Sequence, residues 1–236
     1  MKVICNRGAL LEALTVAGNV VAARTPKPVL QCVKVSAADD RLTIAATDLE
    51  VAIRYSDPQV QIETPGEVLL PADKFRDIVR ESIDDTLSIE VINEQAHIKG
   101  QDSHFKIYTQ PVSDFPPVPD FEGEPDFEVP GGLLKQLIGQ TLFAAAREST
   151  RYAFNGVLVV AKNKKLSLIS TDGRRLAMAK SDLGGNGKLA KDGAQAIVPS
   201  KALNLVDKLI DDPEEPVQFQ MRENQIIFHT SSATLT

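Results

Sequence analysis

The sequence predicts an α+β protein in which one unit, two helices packed on antiparallel sheet, occurs twice. Three observations carry this: apolar stripes at helical spacing over 8–24 and again over 132–147, alternating strands after each stripe, and a return of these features in the same order at a nearly constant offset.

The first helix, read over Gly8 to Arg24, sets Leu10, Leu11, Leu14, Ala17, Val20 and Val21 on one stripe. Its counterpart, Gly132 to Arg147, repeats the pattern with Leu133, Leu134, Leu137, Ile138, Leu142 and Ala145. Ala22-Ala23-Arg24 matches Ala145-Ala146-Arg147 at an offset of 123 residues. Then Arg41-Leu42-Thr43-Ile44-Ala45-Ala46-Thr47-Asp48 aligns at 124 with Lys165-Leu166-Ser167-Leu168-Ile169-Ser170-Thr171-Asp172, two alternating strands that each run into a Thr-Asp turn. The second helix opens with a proline in its first turn, Pro71 in one copy and Pro199 in the other, where a missing amide hydrogen costs nothing. Its buried stripe is Phe75, Ile78 and Val79, matched by Leu203, Val206 and Leu209. Strands Leu87 to Val91 and Val217 to Met221 align at 130. The slow drift of the offset fits loops that change length between equivalent elements.

Asp114 to Pro125 carries four prolines and four acids, which neither a helix nor a central strand tolerates. It reads as a connector, giving a first domain over 1–124 and a second over 125–236. After the strand of the first copy, Ser103 to Tyr108, the chain runs into this connector; the second copy ends at Thr234-Leu235-Thr236. An unfinished edge strand is unfavourable, so the expectation is a second domain truncated before its last strand.

Composition narrows the function classes. Net charge is −6, yet the residues up to Glu124 hold 12 basic and 20 acidic side chains, and those beyond it 14 and 12, so the second half alone is mildly basic. An acidic total lowers the case for nucleic-acid binding, whereas one basic face within it is enough for phosphate contact. Cys5 and Cys32 are the only cysteines, and the Met1-Lys2-Val3 start has no signal-peptide character, so reduced buried thiols and a cytoplasmic location are expected. No apolar run has the length of a membrane span. His97, His104 and His229 are scattered on strands without zinc spacing, and neither a phosphate-binding glycine loop nor a Ser-His-Asp arrangement is present. No metal or cofactor is called for.

Six further segments matter together: Thr25-Pro26-Lys27-Pro28-Val29-Leu30, Ala46-Thr47-Asp48-Leu49-Glu50, Leu70-Pro71-Ala72-Asp73-Lys74-Phe75, Asp114-Phe115-Pro116, Arg151-Tyr152-Ala153-Phe154-Asn155-Gly156-Val157-Leu158, and Ser170-Thr171-Asp172-Gly173-Arg174-Arg175-Leu176-Ala177. In this order and spacing they resemble the bacterial DNA sliding clamps, the β subunits of DNA polymerase III. The resemblance implies the DNA-clamp fold, with the first and most of the second of three such domains present and the third absent. It implies a non-catalytic processivity factor: a head-to-tail homodimeric ring whose helices line a hole around duplex DNA and which tethers the polymerase without reading sequence. The 236-residue chain by itself is expected to be monomeric.

The resemblance also distributes roles. Basic residues on helix positions away from the buried stripes are candidates to face DNA: Arg24, Arg76, Arg80, Arg147, Lys201 and Lys208, with Tyr152 added by the family pattern. A pocket for short hydrophobic peptide motifs of polymerase and clamp-loader subunits maps to Phe154, Thr171, Gly173, Arg174, Arg175 and Leu176. Apolar anchors, a glycine that admits close backbone approach and arginines for acidic groups suit that task. The ring-closing edge maps to Lys74, Ile78, Phe105 and Ile107, the last two alternating on an edge strand as β-augmentation needs. The alternatives are a non-replicative peptide-binding scaffold of the same fold and, more remotely, a carboxylate metalloenzyme using Asp48 and Asp172. Against the last, the identical placement of both aspartates in the repeats suits turn caps.

Overall fold

A computed structural model describes residues 1–146, 154–183, 193–222 and 225–236. The chain divides into two compact units, Met1–Asp120 and Phe121–Thr236.

In the first unit β1 (Lys2–Asn6) leads into α1 (Arg7–Gly18), followed by β2 (Cys32–Ala38), β3 (Arg41–Thr47), β4 (Ala52–Asp57), β5 (Val60–Thr64) and β6 (Gly66–Pro71). Then come α2 (Ala72–Glu81), β7 (Thr86–Ile92), β8 (Gln95–Lys99) and β9 (His104–Tyr108). Strands β5, β1, β7, β8 and β9 form one antiparallel sheet in that order, and β6, β2, β3 and β4 pair in a second. The second unit runs β10 (Phe127–Pro130), α3 (Gly131–Thr141), β11 (Gly156–Lys162), β12 (Lys165–Thr171), β13 (Leu176–Asp182), β14 (Ala194–Pro199), α4 (Ser200–Leu209), β15 (Pro216–Arg222), β16 (Gln225–His229) and β17 (Ala233–Leu235). Its sheets are ordered β13, β12, β11, β14 and β10, β15, β16, β17. Element for element this is the first unit again, without a described partner for β5. The repeat read from the sequence is therefore structural.

The registers agree as well. Val3, Ile89 and Ile98 stand side by side across β1, β7 and β8, and Phe127, Phe219 and Phe228 take the same places across β10, β15 and β16. All six are buried. The second unit thus fills with phenyl rings, whose centroids lie 4.6 and 4.9 Å apart, the space that aliphatic chains fill in the first. The β2–β3 and β11–β12 hairpins turn through Asp39-Asp40 and Asn163-Lys164, each pair at positive φ, the two-residue turn whose twist matches its strands.

Two helix ends differ from expectation. α1 stops at Gly18, not Arg24, because Asn19 caps it, its Nδ2 donating to the Thr15 carbonyl. Arg24 consequently lies on an exposed bend beyond the helix. α3 stops at Thr141, where the buried hydroxyl donates back to the Leu137 carbonyl and the backbone leaves helical geometry for a 3-10 turn over Leu142–Ala144. Pro71 and Pro199 also sit one place earlier than read: each is the N-cap residue, and Pro130 caps α3 likewise. At the far end of α2, Arg7 donates from Nε to the Val79 carbonyl at 3.1 Å and from Nη2 to the Arg80 carbonyl at 2.8 Å, a cationic cap that ties the start of α1 to it.

Cys5 and Cys32 are free and buried. Burial, with Asp57 nearby, pushes the Cys5 thiol up to about 12.

The connector is held at both ends. Phe115 packs against Cys32, Ala45 and Leu69 on the sheet face opposite the helices. Arg54 donates from Nη1 to the Val118 carbonyl at 3.2 Å and pairs with Asp120 at 3.4 Å. In the second unit, Gln220 Nε2 donates to the carbonyls of Glu122 and Glu124, and Phe121 stacks on His229 at 4.7 Å. A structureless linker would leave these groups to water. Phe115→Ala should therefore cost about 3 kcal/mol of stability, read from the first urea transition, with the second unit's transition unmoved.

Candidate partner-binding site and cationic faces

The Thr-Asp turns are built alike. In the first unit the Thr47 hydroxyl donates to the Val51 carbonyl at 3.0 Å and accepts from the Leu49 amide, while Asp48 Oδ1 accepts from the amides of Glu50 and Val51. In the second, Thr171 donates to the Arg175 carbonyl at 2.7 Å and accepts from the Gly173 amide, and Asp172 Oδ1 accepts from the amides of Arg174 and Arg175. Both aspartates are thus turn caps. Carboxylates occupied by backbone amides are poorly placed to hold a metal, and among the described residues no group of three or more His, Cys, Asp or Glu could do so.

Outside the turn the two units part. The first presents Leu49 and Glu50; the second presents Gly173, Arg174 and Arg175. Leu49 and Gly173 occupy the same left-handed position, at φ 78° and 87°. Glycine takes that conformation without strain, and a β-carbon added to Gly173 would lie 3.5 Å from Phe154 Cε2. Phe154 is half-buried, and its carbonyl accepts from the Ala146 amide at 2.8 Å, which fixes the ring beside the turn. Arg175 donates from Nε to Asp172 Oδ2 at 2.9 Å, and its guanidinium stands 5.8 Å from the centroid of the Phe143 ring. Leu176, the first residue of β13, is 66% exposed and Phe143 61%. The structure therefore gathers Phe154, Thr171, Gly173, Arg175 and Leu176 around one turn, with Arg174 exposed at its tip.

Phe143 was missed. A helix continued to Arg147 would make it an unremarkable off-stripe residue; the stop at Thr141 turns it outward beside Arg175.

The cationic candidates fall into two groups. On α2, Arg76 pairs with Asp73 at 3.0 Å, and Arg80 with Asp77 at 3.1 Å and Glu81 at 3.0 Å. These acids raise the Arg80 pKa, Glu81 first, and leave the helix face close to neutral. Arg76 also lies by the C-terminal end of α1, with Nη1 3.1 Å from where a Gly18 β-carbon would be. On α4, Lys201 and Lys208 are exposed on one face with a single acid, Asp207, on the helix. Arg24 is exposed and makes no ion pair among the described residues. Arg147 and Tyr152 lie outside the described residues.

At the expected ring-closing edge, β9 is the outermost strand of its sheet, with α2 packed against it. Phe105 is 41% exposed and Lys74 is exposed, whereas Ile78 is half-buried and Ile107 buried at 6%. What the edge offers a neighbour is its backbone, with Phe105 and the exposed Tyr108 beside it. Among the described residues no helix is long and apolar enough to cross a membrane.

Family models decide the identity. Residues 1–119 match the N-terminal domain of the DNA polymerase III beta subunit, and residues 128–236 its central domain. The chain belongs to the bacterial beta sliding clamp family. Among similar proteins, the beta sliding clamp of Caulobacter vibrioides is 33% identical over the whole chain and that of Bacillus subtilis 30% identical over 97% of it. Solved structures agree: the DNA polymerase sliding clamp of Bacillus subtilis superposes with a TM-score of 0.93 at 28% identity, and the DNA polymerase III subunit beta of Pseudomonas aeruginosa with 0.91 at 31%, each over 100% of this chain. The chain spans 62–64% of the length of these relatives. Its fold is the α+β arrangement expected from the repeat and the DNA-clamp fold implied by the resemblance.

The Asp172 carboxyl is held below its ordinary range, chiefly by the Arg174 amide and then by that of Arg175. A depressed folded-state pKa contributes stability that is complete above the unfolded value and lost as pH falls through the folded one. Asp172→Asn should accordingly melt below the wild type at pH 7, the gap closing as pH drops under the ordinary carboxylate range. A gap independent of pH in thermal melts would contradict this.

Proposed function

We propose that this chain supplies two domains of a non-catalytic processivity clamp that surrounds duplex DNA and holds the replicative polymerase to it. The observation that carries the reading is the match of both units, in order, to the first two domains of sliding clamps. The faces fit it. Lys201 and Lys208 on α4 and the exposed Arg24 offer cations to phosphate, a contact that carries no sequence information and is salt-dependent. Arg147, Tyr152 and the internally paired Arg76 and Arg80 belong to the same proposed set.

The cluster of Phe154, Thr171, Gly173, Arg174, Arg175 and Leu176, with Phe143 added, is the proposed pocket for short hydrophobic motifs of polymerase and clamp-loader subunits. Exposed Phe and Leu anchor apolar side chains there, and the arginines meet the acidic flanks of such a motif. The free edge of β9, with Lys74, Ile78, Phe105 and Ile107, is the proposed joint of a head-to-tail homodimeric ring. The work of such a ring is cytoplasmic and needs no cofactor.

Two measurements test these assignments separately. Arg24→Ala, Lys201→Ala and Lys208→Ala should each reduce the slope of log affinity against log salt for an arbitrary duplex by about 1, measured by fluorescence anisotropy; unchanged slopes would remove these residues from the DNA face. Phe143→Ala and Arg175→Ala should leave that slope alone and weaken binding of a polymerase-derived hydrophobic peptide about tenfold or more, corresponding to 1.4 kcal/mol.

A further inference from the structure

His97 and His104 are seven residues apart on different strands, and their spacing along the chain forms no metal motif. Register joins them. β8 and β9 pair so that His97 stands opposite Lys106 and His104 opposite Lys99, which puts these four on one face of the strand pair. The other face carries Ala96, Ile98 and Ile107, all buried toward the helices. Across the diagonal, His97 Nδ1 lies 3.0 Å from His104 Nε2, with the ring centroids 5.2 Å apart. His104 is exposed and His97 half-buried, so solvent reaches both nitrogens from the sheet's outer side. In the second unit Ile227 and Thr234 take the corresponding places on β16 and β17, and the pair is confined to the first.

Two imidazole nitrogens so spaced fit one metal ion. With metal–nitrogen bonds of about 2.0–2.1 Å, a shared ion needs its donors about 2.9 Å apart at a right angle and about 3.3 Å apart at the tetrahedral angle. Imidazole pairs select zinc, nickel or copper over the oxygen-seeking magnesium and calcium. The His104 ring is also kept neutral: desolvation first, then His97, Lys99 and Lys106, hold its pKa below the ordinary histidine value, which leaves a lone pair to donate at pH 7. Glu90, beside His97 on β7, already accepts from Lys99 Nζ at 3.2 Å, so the protein ligands are the two rings. We propose that His97 Nδ1 and His104 Nε2 together bind one divalent transition ion, with water at its remaining positions. On binding, the N–H···N hydrogen bond breaks, its proton leaves that nitrogen for solvent, and the ring takes one up at its other nitrogen. Both lone pairs then turn onto the ion, which ties β9, the outermost strand, to β8. The site stands apart from the cluster at Phe143 and Arg175 and holds whether or not the chain serves as a clamp.

Calorimetric titration of the 236-residue chain with zinc chloride should show one saturable site, and magnesium chloride should not compete for it. In NMR spectra the ring protons of His97 and His104 should shift together, while those of His229, whose Nδ1 is engaged with Thr234 at 2.9 Å, stay in place. His97→Gln and His104→Gln should each weaken zinc binding about tenfold or more and leave the metal-free melting temperature unchanged. Zinc should raise the melting temperature of the wild type and of neither variant. Absence of saturable binding, full affinity retained by either glutamine variant, or shifts confined to one of the two rings or to His229 would overturn the proposal. Should a glutamine substitution lower the metal-free melting temperature, the ring-proton shifts of the wild type decide the matter alone.

Discussion

A threonine hydroxyl that donates across a turn and accepts within it, backed by an aspartate on the next two amides, is the interaction on which both units depend. It closes the bend between the second and third strands of the helix-covered sheet, at Thr47 and at Thr171. With the bend closed locally, the next strand enters with its alternation set, so Ile53 and Ala179 face the core. It also forces the residue after the aspartate into left-handed geometry. Everything the turn displays is then free to vary, because the hydrogen bonds come from the backbone and two side chains alone.

The two units use that freedom in opposite directions. The first turn offers Leu49 and Glu50 and tolerates a left-handed leucine, which carries a modest strain; the second offers Gly173 and Arg174 at the same positions, with Arg175 where the first has the buried Val51. Gly173 relieves the strain, and its lack of a side chain keeps the approach to Phe154 open. The same divergence runs over the sheet faces. Charged Lys34 and Arg54 in one unit become Leu158 and Met178 in the other, while the buried faces keep their apolar pattern. Duplication kept what packs the core and released what meets solvent.

This division also explains which features were legible in sequence. The repeat, the strand alternation and the turn caps are written in apolar periodicity and in Thr-Asp, signals that survive without three-dimensional context. Helix ends are not: the stop at Gly18 and Asn19 was visible as a glycine-asparagine cap, but the apolar Val20 and Val21 beyond it continued the stripe, and Val20 is indeed buried outside the helix. At Thr141 the stop depends on a side-chain bond to the preceding turn that no composition announces. The position of Phe143 followed from that stop, so the candidate pocket was read without one of its walls. Likewise Asp114–Pro125 reads in sequence as a connector, yet its anchoring by Arg54 and Gln220 involves partners about 60 and 100 residues away along the chain.

In the proposed clamp, charge would bear on sliding in a way net composition hides. A contact that holds DNA without trapping it needs cations that are available yet few, since each phosphate neutralised adds to a salt-dependent affinity. The arginines of α2 are matched by Asp73, Asp77 and Glu81 on their own helix, so phosphate would have to compete with carboxylates already within 3.1 Å. Such pairs are individually weak when exposed, and a phosphate can exchange for a carboxylate at little net change in energy. Lys208 of α4 and Arg24 face no such competition among the described residues. In the proposed clamp, graded availability of this kind, some cations shared with a neighbouring acid and others not, would keep the total attraction low while leaving a continuous supply of contacts as the backbone moves past.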